Sequence, residues 1–268
     1  LLERHLRTAL AAGDVRPNFQ PLIDLRTRAI TGFEALARWT DPALGQVAPE
    51  RFIAIADGCG LIEPLIEHLL RESCRAAIEW PSHLLLAFNL SSVQLKDDGL
   101  PERVLKILRE SGFPPQRLEV ELTEAAVLND PVRTKGVLAE LRAAGVRVVL
   151  DDFGTGYSIL SHLRSLRFDK IKIDRSFIHG LEDSDAQDSG AILRGLMGLG
   201  RGLALAVAAD GVEDGAQAEA LSRQGCDSAQ GFHFAEPMSA TETQRFIAAH
   251  ADSRPSGHGT QGALESLG

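Results

Sequence analysis

Residues 16–36 read RPNFQPLIDLRTRAITGFEAL. Two apolar-rich runs, 16–25 and 29–36, are separated only by the turn residues Arg26-Thr27-Arg28. Three residues are too few for a crossover connection, so the two runs are expected to pair as an antiparallel hairpin. Downstream the pattern changes. Short apolar runs follow at 83–90 (HLLLAFNL), 117–122 (RLEVEL), 146–151 (VRVVLD), 169–174 (DKIKID), 203–210 (LALAVAAD) and 228–234 (SAQGFHF). Between them lie segments of helical period at 50–57, 62–79, 101–111, 131–144, 185–199 and 214–224, with further helices expected over 1–12 and 239–249. Strands alternating with helices favour a parallel sheet covered by helices. Eight strand candidates predict an α/β fold closed as a (β/α)8 TIM-like barrel, with the first strand antiparallel. The barrel is expected over 1–250, and the polar, glycine-rich stretch 251–268 is expected to be a disordered tail.

Composition narrows the function. The chain has 268 residues, 44% hydrophobic and 24% charged, enough for a sizeable core. A net charge of -9 argues against a general nucleic-acid surface, which needs clustered Lys and Arg, so no DNA partner is expected. Cys59, Cys74 and Cys226 form no metal-ligand spacing and fit a reducing, cytoplasmic compartment. No run of about 18 apolar residues predicts a membrane span. LLERHLRTALAAG (1–13) is charged and helical in period, unlike a signal peptide, and the absence of a starting Met suggests a piece of a longer protein.

Barrels of this class build their sites from residues at the C-terminal strand ends. Those ends carry Glu34, Asn89, Glu121, Asp151 with Asp152, Lys172, Asp210 and Gln230. Any one of these could be a solvated loop residue; together they describe a rim crowded with carboxylates. Alternation supports the aim of several. Glu119 and Glu121 share a face opposite Val120 and Leu122, and Lys170 and Lys172 share one opposite Ile171 and Ile173. The carboxylates of Glu34, Glu121, Asp151, Asp152 and Asp210 are too much negative charge for one pocket without cations. Two divalent ions and Lys172 would bring the site near neutrality. All-oxygen donors with an Asn carbonyl suit Mg2+ or Mn2+ rather than structural zinc. Two such ions are the usual apparatus for attacking a phosphodiester.

At these residues the chain closely resembles the EAL domain family of cyclic di-GMP phosphodiesterases. FQP (19–21), FEALARW (33–39), NLS (89–91), ELTE (121–124), DDFGTGYS (151–158), KIDRSF (172–177), GVE (211–213) and QGF (230–232) stand in the family's order and spacing. The resemblance implies hydrolysis of cyclic di-GMP to linear pGpG. It implies one metal on Glu34, Asn89, Glu121 and Asp151, and a second on Asp151, Asp152 and Asp210. Lys172 would hold or deprotonate the attacking water, acting with Glu34, Asp152 and Asp210 as the catalytic set. Gln20, Leu36 and Arg38 would contact the dinucleotide, Gln230 would line the water side, and Glu124 and Glu213 would steady loops. A homodimer through the loop after strand five, and fusion to sensor or GGDEF-type domains, are also implied.

Two kinds of feature temper this reading. GLGRG (198–202) reads as a helix-to-strand connection, and the DFGTGYS glycines fit a turn as well as a phosphate cradle. The family reads Ala-Glu-Gly-Val-Glu where this chain has Ala209-Asp210-Gly211-Val212-Glu213. Asp withdraws the carboxylate by roughly 1.5 Å, one carbon–carbon bond. The second metal would then be held weakly. A rival expectation follows: a receptor that binds cyclic di-GMP without hydrolysing it.

Overall fold

The computed structural model describes residues 2–154, 163, 165–179 and 186–251. Expectations for the dimer loop over 155–162 and for the tail over 252–268 lie outside the described residues. The chain opens with α1 (Leu2–Ala12) and the hairpin β1 (Val15–Asp24) and β2 (Ile30–Asp41), followed by β3 (Gly45–Val47), α2 (Pro49–Gly58) and α3 (Ile62–Ala77). Then come β4 (Leu85–Asn89), α4 (Leu100–Ser111), β5 (Leu118–Thr123), α5 (Glu124–Asn129), α6 (Pro131–Ala143) and β6 (Arg147–Phe153). The last part holds β7 (Lys170–Ile173), α7 (Ser176–His179), α8 (Ala186–Leu203), β8 (Ala206–Ala209), α9 (Gly215–Gln224), β9 (Ser228–Ala229) and α10 (Ala240–Ala251).

Strand order is β1-β9-β8-β7-β6-β5-β4-β2, and β1 also pairs with β2, so eight strands close into a barrel with β3 appended to β2. β1 is antiparallel to both neighbours, while β2 and β4 to β9 run parallel, as the short 26–28 turn required. The turn is closed by Asp24, whose Oδ1 accepts from the Arg26 and Thr27 amides and the Thr27 hydroxyl at 3.0, 2.6 and 2.8 Å.

The apolar core lies mainly between barrel and helices. Leu65, Leu69, Cys74 and Ala77 of α3 pack there, as do Val120 and Leu122 of β5 and Ile171 and Ile173 of β7. Alternation then sends Glu119, Glu121, Lys170 and Lys172 into the barrel lumen. There Lys170 Nζ pairs with Glu119 Oε2 at 2.6 Å, one layer below the Lys172–Glu121 pair. In the hairpin, Gln20 sits directly opposite Glu34, and both are buried in the lumen. A one-residue slip would turn both away from it.

Two strand ends differ from the sequence reading. α8 continues through GLGRG to Leu203, so the seventh expected strand starts at Ala206 rather than 203. A Cβ on Gly200 would approach Val207 Cγ2 to 2.3 Å, so this glycine lets helix and strand pack closely. The last strand is only Ser228–Ala229, not 228–234. Gly231, at φ 153°, turns the chain across Val212, whose backbone oxygen would lie 2.1 Å from a Cβ there. No helix among the described residues is long and apolar enough to cross a membrane.

Candidate active site

The expected rim residues do converge, and Lys172 is their centre. Its side chain is 2% exposed, with Nζ 2.7 Å from Glu34 Oε2, 3.1 Å from Glu121 Oε2 and 3.9 Å from Asp210 Oδ2. Glu34 is held on both oxygens. Asn89 Nδ2 donates to Oε1 at 2.6 Å, and Gln230 Nε2 donates to Oε2 at 2.7 Å. Gln230 Nε2 also reaches Gln20 Oε1 at 2.8 Å, and Gln20 Nε2 donates to Ala235 O at 3.1 Å. Among the described residues, Gln230 Oε1 is buried without a hydrogen-bond partner.

Adjacent aspartates in a regular strand would face opposite ways. β6 is not regular at this point. Leu150 pairs with Ile171 and Phe153 with Ile173, so three steps on β6 match two on β7. Asp152 takes the extra place with φ 53°, the left-handed region that Asp tolerates better than most residues. Its amide donates to Asp151 Oδ1 at 2.9 Å. The bulge brings both carboxylates to the rim.

Charge in this ring is unevenly distributed. Burial alone would raise Glu34, but Lys172, Gln230 and Asn89 outweigh it and hold its carboxyl below the ordinary range. Glu121 lies farther from the ammonium; burial and the Glu34 charge push it well above. Burial pushes Asp151 up to about 6, with Lys172 pulling it back and Glu34 and Asp152 adding repulsion. Asp152 and Asp210 are raised too, mainly by burial. Burial would lower Lys172, yet the surrounding carboxylates hold its ammonium well above its usual range.

These shifts bear on a metal. The donors are oxygens, and they carry more negative charge than one ammonium balances, which fits a hard divalent cation. The ligand set is not assembled: among the described residues no three acidic, His or Cys side chains are gathered closely enough to hold a metal. The Asp210 Oδ1 turns back to accept from the Gly211 amide at 2.7 Å. The donor chemistry therefore fits divalent cations, provided side chains now gathered on Lys172 turn toward them.

Above the ring opens a cleft of about 640 Å³, walled by Gln20, Leu36, Arg38, Asn89, Asp210 and Glu213. Burial lowers the Arg38 guanidinium from its usual range, and its Nη1 donates to Ala37 O at 2.9 Å. Glu124 Oε1 accepts from the Gly154 amide at 2.8 Å, tying β5 to the end of β6. The sequence reading gave no role to Glu50, Arg175 and Phe232, which also line the cleft. Arg175 and Phe232 were in view inside KIDRSF and QGF, but nothing in a motif says which way a loop residue points.

Similarity to other proteins agrees with this geometry. The EAL domain family model matches residues 3–237. Protein y4lL of Sinorhizobium fredii is 43% identical over 92% of this chain, which spans 30% of that protein. The bifunctional diguanylate cyclase/cyclic di-GMP phosphodiesterase MucR of Pseudomonas aeruginosa is 37% identical over 91% of this chain, which spans 36% of MucR. The structure of the MucR phosphodiesterase in complex with c-di-GMP superimposes with a TM-score of 0.86 at 37% identity, covering 91% of this chain and 100% of that one. The chain thus spans roughly a third of the length of these curated relatives. With the family model matching most of its length and the barrel closed as that family closes it, the chain belongs to the EAL domain family.

Proposed function

We propose that this domain binds cyclic di-GMP in the cleft and hydrolyses one phosphodiester to give linear pGpG. The observation that carries the reading is the Lys172 ring at the foot of the cleft, 2.7 Å from Glu34 and 3.1 Å from Glu121. Glu34, Asn89, Glu121 and Asp151 would hold one Mg2+ or Mn2+, and Asp151, Asp152 and Asp210 a second. Such a pair, when bound, supplies Lewis-acid polarisation of the phosphate and a water of lowered pKa. Arg38 would hold a phosphate oxygen by a charge-assisted hydrogen bond, with Gln20 and Leu36 along the same wall. Lys172 would hold the attacking water by donating to it. Gln230 Oε1, without a partner among the described residues, would accept from that water. Glu124 and Glu213 would steady the loops at the rim.

One observation favours a second reading, a receptor that binds without hydrolysis. Asp210 is shorter than the Glu of the family and is engaged by its own loop at 2.7 Å. The two readings part in one experiment. Incubating the domain with cyclic di-GMP and Mg2+ or Mn2+ is expected to release pGpG. Tight binding without pGpG would establish the receptor instead, and no binding would overturn both.

The same reading makes 1–250 the barrel portion of a longer cytoplasmic protein with sensor or GGDEF-type domains attached. It would act as a homodimer, which light scattering over a concentration series checks.

A further inference from the structure

We infer that Glu119 is a positioning residue for the rim above it: it holds Lys170 low in the barrel lumen and so keeps a second ammonium off Glu121. The inference rests on the two-cation reading of the site, in which Glu121 is a metal ligand. Lys170 and Lys172 stand two residues apart on β7 and share its lumen face, as Glu119 and Glu121 share that of β5. The strand register decides which pairs can form. Glu121 lies beside Val149 of β6, and Val149 beside Lys170 of β7, so Lys170 starts level with Glu121 rather than with Glu119. Two strand spacings, about 9–10 Å, separate the pair, a span that a lysine and a glutamate close together.

Lys170 does not take that partner. Its Nζ reaches back to Glu119 Oε2 at 2.6 Å, while Lys172 Nζ takes Glu121 Oε2 at 3.1 Å. Each lysine thus leans one layer toward the N-terminal ends of the strands. Small lumen neighbours leave room for this: Ala87 is beside Glu119, and Ala206 and Ala208 are beside Lys170 and Lys172. The Glu119 side chain is 1% exposed and that of Lys170 15%, so water weakens their attraction little. Arg147, the cross-strand neighbour of Glu119 on β6, comes to 3.9 Å from Oε1. Among the described residues Lys170 has no other ion pair. Without the Glu119 charge, Lys170 and Arg147 are left low in the barrel with no carboxylate between them. Above them stands a rim with more carboxylates than Lys172 balances. Lys170 then swings to Glu121, the carboxylate level with it. A divalent ion that uses Glu121 must now displace two ammonium groups instead of one.

The test uses the whole chain with Mn2+ as the probe. Affinity is read by calorimetry and by the rise in Tm over chelator, with kcat for pGpG alongside. Glu119→Gln keeps the side-chain shape and frees Lys170; it is expected to weaken Mn2+ about tenfold, the low end of what losing an outer partner of a metal ligand costs. Lys170→Met removes the competitor and should bind Mn2+ at least as tightly as the native chain. The double variant Glu119→Gln/Lys170→Met should return to native affinity. The asymmetry between the single variants separates positioning from structural support, because an ion pair that only held the fold would suffer from the loss of either partner. In a Glu121→Gln background, Glu119→Gln should change Mn2+ affinity no further, since its effect passes through that ligand. Should Glu119→Gln fold poorly under chelator, Lys170→Met alone still decides: weaker Mn2+ binding there overturns the inference. Equal losses in the two single variants, native affinity in Glu119→Gln, or a further loss in the Glu121→Gln background would also overturn it, and with Mn2+ binding to the native chain the two-cation reading would stand. A native chain that binds no Mn2+ would bring down both.

Discussion

Lys172 shows how a single buried residue can gather carboxylates from separate strands at a barrel rim. Its ammonium lies among Glu34, Glu121 and Asp210 and is almost wholly removed from water. Removing one partner of a buried ion pair leaves the other charge uncompensated, which costs about 3–5 kcal/mol. Lys172→Met should therefore lower Tm by roughly 6–20 °C when cations are chelated, at about 2–4 °C per kcal/mol for a domain of this size. Adding Mg2+ or Mn2+ should recover more of that loss than it adds to the native domain, because a divalent ion can take the ammonium's place. Equal gains in the two proteins would contradict this. Asp210 is the other revealing residue. Its carboxylate is 39% exposed and shared between Gly211 N and the approach to Lys172. Asp210→Glu should extend it toward the ring, raise kcat about tenfold or more, and leave cyclic di-GMP affinity nearly unchanged, given that about 1 Å of misplacement costs on the order of 100-fold. Titrating kcat against metal concentration checks it, and a slower Asp210→Glu would mean the surroundings are fitted to Asp. Most of the ring was readable from strand ends, because alternation fixes which side chains enter a lumen. The bulge that frees Asp152 was not, since a left-handed Asp leaves no mark in composition.

At the scale of elements, the 16–36 hairpin was legible because a three-residue break leaves the chain no other route. Its turn is held through Asp24. Burial pushes that carboxyl up, but the bonds from Thr27 and Arg26 outweigh it and hold it below the ordinary aspartate range. Asp24→Ala should cost about 1 kcal/mol at neutral pH, the worth of the hydrogen bonds lost net of water. The sign of the pH effect follows from the direction of the shift. A depressed carboxyl stabilises the fold above its unfolded pKa and stops doing so as pH falls through the folded value. The difference between native and Asp24→Ala in urea denaturation should thus be full near neutrality and narrow below pH 3.8. A constant gap across that range would mean the lost contacts are not those of a carboxylate. Other elements were misjudged where the backbone overrides residue type. SAQGFHF has the apolar content of a strand, yet Gly231 turns it after two residues. The run from Leu203 looks strand-like, yet α8 ends there and Ala204, at φ 55°, makes the corner into β8. The short β3 and α5 were not anticipated, being too brief to show a period.

On the scale of the whole molecule, the carboxylates of the site come from the ends of four different strands of a closed barrel. Repulsion among them therefore acts on the closure of the barrel and not on one loop. Asp151 is the best place to measure it. Burial and the charges of Glu34 and Asp152 all oppose its ionised form, and only Lys172 favours it strongly. Among the described residues its carboxylate accepts one hydrogen bond, at Oδ1 from the Asp152 amide at 2.9 Å, which an asparagine oxygen can also accept. Asp151→Asn thus keeps the local bond and deletes a charge that the empty site does not want. With cations chelated, the variant should melt higher than the native domain, by on the order of 1 kcal/mol or about 2–4 °C. With saturating Mg2+ or Mn2+ the order should reverse. Ligands that bind only the folded state raise Tm by mass action, and the residue proposed to bridge both ions contributes most to that affinity. The native domain should gain several degrees and the variant little, with pGpG formation lost in the variant. The measurement is a pair of melting curves for each protein, with chelator and with metal. A variant less stable than native under chelator would show that the empty rim already neutralises Asp151, and the electrostatic case for two cations would fail with it.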